Sequence, residues 1–132
     1  MNLSRLRRQV LDLAKERSDL ESRLIKHERL VKGSLVYLRT RCGNRNCRCH
    51  QHKKHRHGRH LYLSLSLGGS TRMVYVPKAW VEKTEAWVCQ ARSHRKARKE
   101  WLRINQRLWT IWMDMERLKM QPLPYEPKKK GR

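Results

Sequence analysis

The sequence predicts an α+β fold, mostly α: a long antiparallel helical hairpin of coiled-coil type, with a small three-stranded antiparallel sheet and a zinc-binding loop at one end. Three observations carry this. Two long segments flanking the middle of the chain repeat apolar residues every seven positions. A central segment alternates leucine with polar residues. Ahead of that segment, Cys42 to His60 (CGNRNCRCHQHKKHRHGRH) holds three of the four cysteines and five of the seven histidines. The chain accordingly divides into an N-terminal coiled-coil helix (1–32), a zinc-binding β region (33–77), a long C-terminal helix (78–121) and a basic proline-rich tail (122–132).

In the first segment Leu3, Leu6, Val10, Leu13, Leu20, Leu24 and Val31 fall on one heptad repeat, interrupted by Arg17 and His27. Spacing of this kind builds a coiled-coil seam. No proline interrupts it, and Gly33 stands where a C-terminal cap would be. At 1.5 Å per residue the rod is about 45 Å long. Residues 34–41 read as a strand leading into the cysteines. In residues 60–67 the leucines at 61, 63, 65 and 67 face one way and His60, Tyr62, Ser64 and Ser66 the other. Gly68-Gly69 signals a tight turn, and 72–76 forms the return strand. Pro77 closes the strand and opens the second helix, about 78–120. There Trp80, Trp87, His94, Trp101, Leu108 and Met115 recur every seven residues, with Ala97, Ile104, Ile111 and Leu118 three further on. Each stripe is too narrow to be stable alone. The two are expected to pair, within the chain as a hairpin or between chains as a homodimer. The tail PLPYEPKKKGR is expected to be disordered by itself.

Cys42, Cys47 and Cys49 follow a C-x4-C-x-C spacing. Thiolate sulfur suits zinc, and a structural zinc closes four tetrahedral positions, so a fourth donor is required. His50 is adjacent to Cys49, which points its ring away. His57 is better placed, since Gly58 lets the chain turn back, while His52, His55 and His60 stay possible. Disulfides are disfavoured, because MNLSRLRRQV has no apolar signal-peptide region and the chain reads as cytoplasmic. A catalytic zinc is disfavoured as well: three Cys and one His leave no position for water, and no Glu lies nearby to act as a base. Cys89 is isolated and reads as a free thiol.

The formal net charge is +22, distributed as +4, +9, +6 and +3 over the four segments, and no Asp or Glu occurs between Glu28 and Glu82. A local excess of this kind is a footprint for phosphates. The expected contacts are Arg41, Arg45, Arg48, Lys53, Lys54, Arg56 and Arg59 around the metal loop. They continue with Arg92, Arg95, Lys96, Arg98 and Lys99 on the second helix and Lys128, Lys129 and Lys130 in the tail. Tyr62, on the polar strand face, is a candidate for base stacking. No apolar run approaches the roughly 18 residues of a membrane span, so no membrane partner is expected.

The elements CG-x3-CRC, the later HG, LYLSLSLGG and YVPK together resemble a family of small bacterial and archaeal Cys-rich domains of unknown function. Its pattern is C-G-x3-C-x-C, then H-G-P, an aromatic-rich strand, a glycine turn and Y-V-P before a helix. Here this corresponds to Cys42-Gly43, Cys47, Cys49, His57-Gly58, Tyr62, Gly68-Gly69 and Tyr75-Val76-Pro77, within residues 33–100. The resemblance supports His57 as the fourth ligand and implies a setting near mobile elements. It departs at Arg59, where the family tends to have proline, and in the extra histidines.

The expectation is a non-catalytic zinc protein that binds nucleic acid, RNA favoured over DNA, within a larger ribonucleoprotein. No helix-turn-helix or basic zipper is present, and the basic residues spread over every part of the chain. The alternative is a DNA-binding accessory of a transposase, dimerised through its coiled coil. A nuclease is disfavoured by the lack of an acidic cluster for Mg2+, and a purely protein-binding scaffold by the charge.

Overall fold

A computed structural model describes residues 2–131. Along the chain lie helix α1 (Leu3–Lys26), strands β1 (Ser34–Thr40), β2 (His57–Leu67) and β3 (Ser70–Tyr75), and helix α2 (Val81–Lys119). Single 3-10 turns occur at Arg48–His50, Lys53–His55 and Lys78–Trp80. The architecture is α+β and mostly helical, as the heptads and the alternation predict. The chain forms two compact units, one of Met1–Leu24 with Ala97–Arg132 and one of Ile25–Lys96.

The helical unit is the heptad seam made physical. Leu6, Leu13 and Leu20 of α1 are buried together with Ala97, Ile104, Leu108, Ile111 and Met115 of α2, flanked by Leu3, Val10, Leu24, Trp101 and Leu118. The pairing is antiparallel, since Arg17 Nη1 donates to Asn105 Oδ1 at 3.3 Å and, one turn along α1 but one turn back along α2, Trp101 Nε1 donates to Glu21 Oε1 at 2.9 Å. Arg17 breaks the apolar repeat without leaving a bare charge. Its guanidinium meets Asn105 and sits 3.6 Å from Glu21, while its aliphatic stem can lie along the seam.

In the second unit the strands lie in the order β1-β2-β3, all antiparallel. Alternation along β2 buries Leu61 and Leu63 with Val76 and with Val88 of α2, while Val31, Leu35, Leu65 and Val81 pack around them. Burial fades toward the hairpin tip, so Leu67, expected on the covered face, is exposed. Gly68 and Gly69 have φ of +55° and +84° and are the only two residues between the paired Leu67 and Ser70. A two-residue turn of this hand needs both in the left-handed region, which glycine enters without strain.

The first helix ends at Lys26, well short of residue 32. Val31 leaves the heptad instead: its N–H donates to Trp87 O at 3.3 Å and its side chain packs on the sheet cluster. Tertiary burial outweighs the last turn of helix. Gly33 therefore caps nothing. A Cβ there would fall 2.8 Å from Leu63 Cδ1 and 2.9 Å from Ser64 O, so glycine is needed because the chain crosses close to β2. His27, the second break in the repeat, places Nδ1 3.0 Å from His94 Nδ1.

Candidate metal centre and basic surface

The loop between β1 and β2 brings the predicted ligands together. Cys42 follows the end of β1. The 3-10 turn at Arg48–His50 carries Cys49 inward until it is fully buried. β2 then begins at His57, and its register against β1 slips at once: Leu38 pairs with His60, but Thr40 pairs with His57. Gly58 and Arg59 thus oppose the single residue Arg39, a β-bulge. Gly58 has φ of +77°, and a Cβ there would lie 2.3 Å from His60 Nε2. Glycine permits the bulge, and the bulge swings His57 back toward the cysteines.

The donor atoms of Cys42, Cys47, Cys49 and His57 all lie within 4.8 Å of one another. Cys42 Sγ is 3.6 Å from Cys49 Sγ, and Cys47 Sγ is 3.2 Å from His57 Nε2. Four ligands tetrahedral about an ion with metal–sulfur bonds of about 2.3 Å would set their sulfurs about 3.8 Å apart. The group can hold a metal ion. Of the histidines left open by the spacing, His57 alone joins the cluster. His52 and His55 stand edge-on to each other with ring centroids 6.1 Å apart, and His60 packs against Tyr75 at 6.0 Å.

His50 has a role that spacing did not reveal. Its Nε2–H donates to Cys42 O at 2.8 Å, while the Cys42 N–H donates to Cys49 Sγ at 3.3 Å. The loop is thereby held from both sides of Cys42. The local field prepares one thiol: the backbone N–H of Cys49, then the His57 ring and the other two cysteines, lower the Cys47 pKa to about 6. Burial pushes the Cys49 thiol up instead. Cys89 is exposed and apart from the cluster.

Around this centre Arg41, Arg45, Arg48, Lys53 and Lys54 are exposed. Arg56 is half-buried, and its Nε is buried without a hydrogen-bond partner among the described residues. Arg59 is less free than expected, with its Cζ 4.5 Å from the centroid of the Tyr37 ring. The Tyr37 hydroxyl donates to Glu85, whose carboxylate holds the phenol above its ordinary range. Tyr62 is half-buried and packs edge-on to Tyr75 at 5.6 Å. On α2, Arg92, Arg95, Lys96, Arg98 and Lys99 are all exposed. Arg92 and Arg95 border a cleft of about 450 Å³ floored by Val31, Leu65 and Val88. Lys32, which the sequence reading passed over, borders it too. Lys128, Lys129 and Lys130 are exposed in a tail without helix or strand. Among the described residues the ion pairs are Arg17–Glu21, Arg103–Glu100 and Arg117–Asp114, so none of these basic residues is neutralised by a carboxylate. No helix among them is long and apolar enough to cross a membrane.

Fold and site together define an α+β protein with a Cys3His group able to hold a metal ion. The family model described as a domain of unknown function, DUF6788, matches residues 3–86, and the chain belongs to that family. The match takes in α1, the whole sheet and all four ligand residues, extending further toward the N-terminus than the motifs in 33–100. Comparison with curated proteins and with solved structures returned no match.

Proposed function

We propose that this is a non-catalytic, zinc-containing nucleic-acid-binding protein that docks on structured RNA as part of a ribonucleoprotein. One observation carries the reading. Residues 25–96 hold seventeen Lys/Arg against three Glu, a net +14, and no ion pair within them relieves it among the described residues. Charge left uncompensated at this density favours a polyanion, whose binding releases condensed counterions.

Three thiolates and an imidazole are a donor set for zinc, and four protein ligands leave no position for a reactive water. The ion's part is structural. It fixes the loop from Cys42 to His57, so that Arg45, Arg48, Lys53 and Lys54 keep set spacings. RNA is favoured because the cations come from loop, sheet and helix, which suits an irregular folded surface better than one groove of a duplex. The mobile-element setting rests on the motif resemblance alone.

The test is to identify the metal and the nucleic acid that co-purify, then compare affinity for folded RNA and duplex DNA at matched salt. Arg92→Ala, Arg95→Ala and Arg98→Ala together should flatten the salt dependence by about 2–3 in log–log slope if all three meet phosphates. Preference for duplex DNA would transfer the case to a transposase-type accessory. Indifference to both polymers would end the proposal.

A further inference from the structure

The inner side of α2 is spent on α1, but α2 carries a second apolar stripe. Leu102, Trp109, Met113 and Met120 are spaced seven, four and seven residues apart, and Trp112 lies beside them. Their exposures are 54, 69, 37, 70 and 54 %, in the order Leu102, Trp109, Met113, Met120 and Trp112. Trp109, Trp112, Met113 and Met120 line an open cleft of about 750 Å³, rimmed by Glu116 and Lys119. Two wet tryptophans and two wet methionines on one helical face form a contiguous patch, and patches of that kind mark interaction surfaces.

We infer that this outer face of α2, from Leu102 to Met120, is where a second copy of the chain docks, antiparallel and about a two-fold axis near Ile111. Two arguments select that occupant. The first is charge. The helical unit, residues 1–24 and 97–132, holds sixteen Lys/Arg against eight Asp/Glu, a net +8 over 60 residues, compared with +14 over the 72 residues 25–96. The helical unit is therefore the part of the molecule where two copies meet with least repulsion. The second is self-complementarity, which a two-fold contact demands. Antiparallel pairing about position 111 sets Leu102 opposite Met120, Trp109 opposite Met113 and Gln106 opposite Glu116. Apolar residues meet apolar ones, and the two polar positions of the stripe meet each other, the amide donating to the carboxylate. Residues 102–120 span about 27 Å of helix, nearly three heptads. The contact is independent of the metal centre and of what the basic surface binds.

The experiment is sedimentation equilibrium on the full-length, metal-loaded, nuclease-treated chain, with circular dichroism as a check on folding. The wild type should be a dimer at tens of micromolar. Trp109→Glu with Met113→Glu should be a monomer with unchanged helicity, since both side chains are solvent-facing. Gln106→Lys, which places an ammonium opposite Glu116 twice per dimer, should tighten association about fivefold. A wild type that stays monomeric, or a double variant that still dimerises, would overturn the inference. So would a Gln106→Lys chain that associates no more tightly. A monomeric wild type whose RNA affinity falls on Trp109→Glu would make the stripe a base-stacking platform instead.

Discussion

If Cys42, Cys47, Cys49 and His57 hold the proposed zinc, stripping it should loosen one half of this protein and leave the other standing. The sheet unit is thinly cored: four buried apolar side chains, Leu61, Leu63, Val76 and Val88, at roughly 1.5–3 kcal/mol each, give about 6–12 kcal/mol together. A structural zinc contributes on the order of 10–16 kcal/mol of apparent binding free energy near neutral pH. Loss of the ion would thus remove a contribution comparable to that of the whole apolar cluster. From Cys42 to Arg56 the one buried apolar residue is Cys49, itself a ligand. By contrast, the helical unit buries eight apolar side chains and owes nothing to the metal. The assay is amide hydrogen exchange by mass spectrometry, with and without a strong chelator, and in Cys49→Ser. Amides from Cys42 to His57 should lose their protection and those of β2 should weaken, while α1 and the C-terminal half of α2 keep theirs. If the loop amides stay as protected in the chelated protein as in the loaded one, the metal does not organise this region.

Three further outcomes are expected. Gly58→Ala forces a left-handed φ on alanine, at a cost of about 1 kcal/mol, and drives its methyl into the His60 ring. It should lower metal affinity, read by competition with a chromophoric chelator, as well as the melting temperature. Cys47 alkylation reads the same loop: while its hydrogen bonds are intact, Cys47 should be the thiol that alkylating reagents find first at neutral pH, and once chelation has loosened the loop that preference should fade. A lowered pKa means the thiolate is present above about 6 and lost below it, so its alkylation rate should titrate with a midpoint near there; Cys49, pushed up by burial, should react more slowly, and site-resolved mass spectrometry separates the two. Trp101→Phe keeps the ring on the seam but removes the bond to Glu21, which should destabilise the hairpin by about 1 kcal/mol in urea unfolding.

The parts of this molecule that repeat were legible in one dimension. Heptads at Leu6, Leu13 and Leu20 and at Ile104, Ile111 and Leu118 fix which helical faces are apolar, because 3.6 residues per turn brings them into line. The period of two in Leu61 and Leu63 does the same for a strand, and the crowding of soft donors between Cys42 and His57 marks a candidate metal site before any fold is known. Packing decided the remainder, because those outcomes depend on what lies across a gap. Val31 fits the heptad by spacing, yet it goes to the sheet because Leu61, Leu63 and Val88 offer deeper burial. Gly33 looks like a helix cap and is a crossing point against β2. His50 and His57 are both imidazoles near cysteines; the bulge at Gly58 turns one into the cluster, and the 3-10 turn aims the other at a carbonyl. Spacing along a chain sets which residues can share a face. Only the folded arrangement sets what that face meets, since burial and donor geometry belong to pairs of segments and not to either alone.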